Sequence, residues 1–309
     1  MLFITEQEVV DALPMAAAID LVEQSFLQLA DGSAVNHPRK RLILPGGSIL
    51  HYMAGGNPHY FGIKVYSSNP KTGAHFRFLL YRALDGMPLA EFEANRLGQI
   101  RTGAASAVAT KFLAREDADV LGVIGSGFQA ETQIAAITVV RKLREVRVWS
   151  RNAERRVEFA RKCAEQFGLN VRAVDSARAA MRDAGVVVTA TSSREPVIEG
   201  EWISPGTHVN ATGSNWTSRR ELPTELILDR GALVTVDSVE DGLLESGDLV
   251  IPVKERPGTD FPAGEFCDVV AGTRPGRTSA DQITVFKSNG LAVQDVAAAG
   301  YVFEKKTRF

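Results

Sequence analysis

The chain has 309 residues, 45% of them hydrophobic, and a formal net charge of -2. That length provides for about two domains, each with its own core. The balanced charge offers no footprint for nucleic acid or an anionic membrane. No apolar run reaches the roughly 18 residues of a membrane span, and the start MLFITEQEVV lacks the basic and long apolar regions of a signal peptide. The two cysteines, Cys163 and Cys267, lie far apart with no metal-ligand spacing. A reduced, cytoplasmic protein without a metal site is expected.

In chain order, Thr5 followed by Glu8 spells a capping box, and Pro14 suits the first turn of a second helix. Ile19, Val22, Phe26 and Leu29 form that helix's apolar stripe, and Gly32 ends it. Strands are expected at residues 41–44, 49–53, 61–67 and 75–83, with Asp85-Gly86 turning into another at 89–93. This mainly β region, residues 1–116 joined by 291–309, reads as a substrate-binding and assembly domain. In the third strand, period two sets Gly62, Lys64 and Tyr66 opposite Ile63 and Val65. By itself that alternation reads as a lysine on a solvated sheet face. Arg101 precedes Thr102-Gly103-Ala104-Ala105-Ser106-Ala107-Val108-Ala109, read as a helix with a small-residue face. A cation at a helix start opposes the macrodipole, a conflict that a bound anion would remove; the alternative is a surface arginine.

Residues 117–290 read as a nucleotide domain. Residues 120–124 are a buried parallel strand, followed without a gap by Gly125-Ser126-Gly127-Phe128-Gln129-Ala130. Ile134, Ile137, Val140 and Leu143 then recur at helical spacing. Strand, glycine turn and helix are the context a dinucleotide fingerprint requires. Gly125 permits the tight turn, Gly127 lets the backbone approach a pyrophosphate, and Ala130 allows close helix packing. Further strands are expected at 145–149, 171–174, 186–190, 209–211, 233–236 and 283–286. The strand at 145–149, the second of this sheet, ends in Ser150-Arg151-Asn152, where an NAD enzyme usually carries an acidic residue. With Ser150, Arg151 and Arg155 there instead, NADP(H) is favoured over NAD(H). Small hydroxyl residues, Thr191, Ser192 and Ser193, close the 186–190 strand where an open α/β sheet keeps its ligand crevice.

These residues together make the chain similar to the ornithine cyclodeaminase and mu-crystallin family over nearly its full length. The resemblance is carried by the Arg101–Ala107 run, the Gly125–Ala130 turn, Gly200-Glu201-Trp202, Val209-Asn210-Ala211-Thr212-Gly213-Ser214, and the block from Val285 through Lys287, Ser288, Asn289 and Gly290 to Asp295. It implies an α/β protein: a Rossmann-type doubly wound parallel sheet domain plus a β-rich domain through which a homodimer forms. It also implies an NAD(P)-dependent oxidoreductase acting on the carbon–nitrogen bond of a small α-amino or α-imino acid. An arginine of Pro38-Arg39-Lys40-Arg41, with Lys64 and Arg101, is implied to hold the substrate carboxylate. Arg41 is favoured because an apolar strand follows it, and Arg39 is the alternative. Asn215 joins the substrate set, and Thr102, Asn210 and Ser288 join the cofactor set. Lys64 is the expected proton-transfer group if burial among cations lowers its pKa, with His51 as the alternative. Asp295 orients a cation or caps a neighbouring element. Two other readings are a deaminating cyclase using bound NAD and a nucleotide-dependent binding protein of mu-crystallin type. The family's cyclodeaminases carry a glutamate and an aspartate where this chain has His51 and Asn215, so ornithine cyclisation is not expected.

Overall fold

The computed structural model describes residues 1–307. The chain divides into two compact units: residues 1–101 together with those from Gly290 onward, and residues 102–289. No helix among the described residues is long and apolar enough to cross a membrane.

The first unit holds a six-stranded sheet of β1 (Leu2–Ile4), β2 (Val35–Ile43), β3 (Ile49–Gly56), β4 (Tyr60–Asn69), β5 (Gly73–Arg82) and β6 (Pro88–Glu93), in the order β1-β6-β5-β4-β3-β2. β2 to β6 form an antiparallel meander, and β1 adds in parallel to β6. β1 escaped the sequence reading because three residues show no period. The capping box at Thr5 is present, with the Glu8 carboxylate accepting from the Thr5 N–H at 3.0 Å. Met53, Lys64, Phe78 and Phe92 are register neighbours across four strands, and all are buried. The closing helix Ala292–Thr307 lies against β2 to β5 and packs on the helix Met15–Ala30. Gly55 allows this closeness, since a Cβ there would lie 2.6 Å from the Val293 nitrogen. The sheet's other face leaves Leu50, Tyr52 and Phe61 exposed, beside the exposed Leu42 of β2.

The helix with the small-residue run begins at Asn95 rather than at Thr102 and runs to Leu113. Its first N–H groups, those of Asn95 and Arg96, donate to the Glu6 carboxylate at 2.8 and 2.6 Å. Arg101 is therefore inside the helix, and the expected conflict with the macrodipole does not arise. The boundary between units falls within this helix instead of after residue 116. Residues from Thr102 on are held by the second unit. Gly103 abuts the Thr132 carbonyl, Asn210 donates to the Thr110 hydroxyl at 3.0 Å, and Arg277 donates to the Leu113 carbonyl at 2.8 Å.

The second unit is an eight-stranded, all-parallel sheet of β7 (Val120–Ile124), β8 (Glu145–Trp149), β9 (Val171–Ala173), β10 (Val186–Thr189), β11 (His208–Ala211), β12 (Leu233–Val236), β13 (Gly264–Glu265) and β14 (Thr284–Lys287). Its order is β13-β12-β14-β11-β10-β7-β8-β9. Apolar clusters cover both faces, one including Val187, Val209 and Val285 and the other Leu121, Val146 and Val188. Burial on both faces explains the continuous apolar strands. The chain winds outward from β7 to β9, then resumes at β10 on the other side of β7. That reversal opens a crevice at the carboxyl ends of β7 and β10.

Candidate active site

In the second unit, a cleft of about 510 Å³ occupies this crevice, lined by the Gly125–Gly127 turn, by Trp149 to Asn152 with Arg155, and by Ala190 to Ser193 with Pro196 and Val197. Gly125 has φ +125°, and a Cβ there would collide with the Ala190 carbonyl. No larger residue keeps that turn. Gly127 is the N-cap of the helix Phe128–Val140, makes no side-chain cap, and faces open space. The first N–H groups of that helix are thus left for an anion. Ser126 and Ser150 join their hydroxyls at 2.8 Å across the cleft floor. Arg156 donates to the Ser150 carbonyl at 3.0 Å, while Arg151 and Arg155 stay exposed at the rim. No carboxylate lines the cleft among the described residues. A dinucleotide fits these features: a glycine turn without side-chain obstruction, open helix N–H groups for the pyrophosphate, and hydroxyls and arginines at the second strand's end.

In the first unit, the buried face of the meander gathers cations. Lys64 is 3% exposed and Arg101 5%, and both bond the same oxygen of Asp295. Lys64 Nζ and Arg101 Nε each lie 3.1 Å from Asp295 Oδ1. Asp295 is fully buried, and its Oδ2 has no hydrogen-bond partner among the described residues. Burial pushes the Lys64 pKa down, the Asp295 charge opposes that and Arg101 adds to it, leaving it at about 8. Burial would raise Asp295, but Arg101 and Lys64 outweigh it and hold the carboxyl below its ordinary value. Arg39 is buried, with its guanidinium 3.5 Å from the Met53 sulfur. His51 stacks on Tyr66 with ring centres 4.2 Å apart and meets the Ser68 hydroxyl at 2.9 Å. Burial, then the charges of Arg41 and Arg39, lower the His51 pKa to about 4. It is a neutral imidazole at physiological pH.

Of the expected cofactor residues, Gly125, Ser126, Gly127, Ser150, Arg151, Asn152, Thr191 and Ser192 line the cleft. Five do not. Phe128 and Gln129 form the helix start above it. The Thr102 carbonyl accepts from Gln133 at 3.4 Å. Asn210 is buried with its amide on Thr110, because its strand position faces a covered side of the sheet. Ser288 is also buried, and its hydroxyl donates to Asp237 at 3.3 Å. Asn215 lies half-buried in the loop after β11. Lys64 is not on a solvated face. In the basic segment Arg39, rather than Arg41, is the buried arginine whose charge reaches Lys64. The register shift at Pro38–Arg39, which no motif announces, lies here.

The sequence profile of the Ornithine cyclodeaminase/mu-crystallin family matches residues 1–308. The chain is similar to the Δ1-pyrroline-2-carboxylate reductase of Thermococcus litoralis, whose structure holds NADH and L-proline. The TM-score is 0.93 at 35% identity, covering 99% of this chain and 97% of the other. It is similar to an archaeal alanine dehydrogenase solved as a dimer with bound NAD, with TM-score 0.92, 32% identity, and 98% and 95% coverage. It is also 37% identical to the ketimine reductase mu-crystallin of Rattus norvegicus over 239 residues, 77% of this chain and 72% of the relative.

Proposed function

The chain belongs to the ornithine cyclodeaminase/mu-crystallin family, and we propose that within it the chain interconverts a small α-imino acid and its α-amino acid with NADP(H). It is an NAD(P)-dependent oxidoreductase acting at a carbon–nitrogen bond. The observation that carries the substrate class is the buried cation face, where Lys64 and Arg101 share one oxygen of Asp295 and the charge of the buried Arg39 reaches Lys64. Such an excess of buried positive charge calls for a second anion, and a substrate carboxylate supplies it. Arg101 presents a planar fork to that group, and Lys64 a point charge. With a pKa of about 8, Lys64 both holds and releases a proton near neutrality. Its Nζ gives that proton to the substrate nitrogen as the imine is reduced and takes it back in the oxidative direction. The nicotinamide, when bound, supplies the hydride chemistry. The relatives named above act on pyrroline-2-carboxylate, alanine and ketimines, which supports a small substrate of this class. The test is a spectrophotometric screen of cyclic imino acids, and of 2-oxo acids with ammonia or methylamine, against both reduced cofactors. Absence of turnover with all of them, while dinucleotide still binds, would favour the binding-protein reading.

The NADP(H) preference rests on Arg151 and Arg155 at the cleft rim and on the lack of a lining carboxylate to hold ribose hydroxyls. Arg151→Ala should weaken NADPH binding by about 1.5–3 kcal/mol and leave NADH nearly unchanged. Dissociation constants for both cofactors check this. Equal losses, or a wild-type preference for NADH, would remove Arg151 from the choice of cofactor.

We propose further that a second copy of the chain covers the apolar outer face of the meander, where Leu42, Leu50, Tyr52 and Phe61 are exposed. A contiguous exposed apolar face of this kind marks an interface. Sedimentation should give a dimer, and Tyr52→Glu should shift it towards monomer. A wild-type monomer at micromolar concentration would end the proposal.

A further inference from the structure

We infer that Glu221 is the positioning residue of the nucleotide cleft, pinning both ends of the segment 191–197 that forms one of its walls; the inference rests on the dinucleotide reading of that cleft. Thr191, Ser192, Ser193, Pro196 and Val197 all line the cleft. At one end of this wall the Thr191 N–H donates to Glu221 Oε1 at 2.6 Å. At the other, the Val197 N–H donates to the Glu221 main-chain carbonyl at 2.9 Å. The second carboxylate oxygen, Oε2, accepts from the Gly213 N–H at 2.8 Å and the Thr189 hydroxyl at 3.0 Å. One side chain therefore ties the end of β10 to the loop that follows β11. The closeness of these loops demands glycine at 213, because a Cβ there would collide with the Thr191 backbone.

Glu221 is fully buried, so its own position is decided by what holds it. Asp248 Oδ1 accepts the N–H groups of Glu221 and Leu222 at 2.6 and 2.9 Å. Asp248 Oδ2 faces Lys287 Nζ at 3.1 Å, and Lys287 in turn donates to the Ser214 carbonyl. The chain of contacts runs from the end of β14 through Asp248 and Glu221 to the cleft wall. Three donors converge on the two Glu221 oxygens, so the site is built for an acceptor without a proton. Burial and the Asp248 charge push its pKa up, and Lys287 opposes them. The carboxylate thus holds the Thr191 end of the wall and the main-chain carbonyl of the same residue holds the Val197 end, so fixing Glu221 fixes both.

Glu221→Gln tests this. Its amide NH₂ would face one of the three donors, leave that N–H or hydroxyl unpaired and loosen the wall. The dissociation constant for NAD(P)H, read by fluorescence titration, should rise about tenfold or more. The KM for dinucleotide should rise more than the KM for the imino acid. A variant that melts lower but binds dinucleotide as the wild type does would overturn the inference. Wild-type protein that binds no dinucleotide would instead strike at the cleft reading itself. Hydrogen exchange on the nucleotide-free wild type gives a check that needs no variant to fold. The Thr191 and Val197 amides should exchange as slowly as those of β10, and exchange at loop rates would overturn the inference equally.

Discussion

Replacing Lys64 by methionine should lower kcat by about 10²–10⁴, the worth of a positioned general acid or base, and should raise KM for the substrate acid less. Methionine keeps the length and apolar stem and deletes the proton. The expectation comes from burial, from the Asp295 contact at 3.1 Å and from a pKa of about 8. The pH dependence has a definite sign. In the reductive direction Lys64 must start protonated, so kcat/KM should fall as pH rises through about 8. In the oxidative direction it must start neutral, so kcat/KM should rise through the same value. Asp295 raises the Lys64 pKa against burial. Asp295→Asn should therefore move that midpoint below 8, besides costing stability by leaving buried cations unpaired. A Lys64→Met enzyme with normal kcat would reduce Lys64 to a binding residue. A midpoint unmoved by Asp295→Asn would separate Asp295 from the proton step.

The second large effect is an activity that should be missing. Incubated with L-ornithine and NAD, the enzyme should release ammonia and proline at least about 100-fold more slowly than it reduces its imino acid, again the worth of one general base. Ornithine arrives with a second ammonium group, which needs an anion to bind it and a base to make it nucleophilic. The family resemblance implies carboxylates in the cyclodeaminases at the positions where this chain carries His51 and Asn215. An amide accepts no proton. His51, at about 4, is a weak base, and the charges that lower it, Arg41 and Arg39, repel an ammonium ion. Asp295, on the closing helix that packs against this sheet, is already shared by Lys64 and Arg101. Stoichiometric ammonia and proline at a rate matching imine reduction would overturn this reading. Proline formed by His51→Glu with Asn215→Asp, where the wild type forms none, would support it.

The local sequence was enough to reveal the nucleotide unit. Its signals lie within a few residues of each other: a β-branched strand, two glycines with backbone reasons to be glycine, and a helix that follows at once. Conformational preference and burial on both sheet faces act at that range, so β7, the turn at Gly125 and the carboxyl-end residues Ser150 and Thr191 were all legible. The β meander was legible too, because alternation and turn residues are local. Its register irregularity at Pro38–Arg39 was not, nor was the three-residue β1.

What tertiary structure decided is the chemistry of the charges. Period two shows which side chains share a face of β4, but not whether that face meets water. Lys64 read as a solvated lysine, yet Asp295, 231 residues away on the closing helix, covers and pairs it. Locally Arg101 reads as standing before a helix start, because the carboxylate that caps the true start at Asn95 is Glu6, from the far end of the unit's sequence. Glu221 and Asp248 bear no motif, Lys287 lies in a block that gives it no role, and only the convergence of segments at the carboxyl end of the parallel sheet brings the three together. Local sequence determines where strands, turns and helices form, because those choices are made over a few residues. Proton affinity and charge pairing depend on burial and on the nearest opposite charge, and those are set by segments hundreds of residues apart.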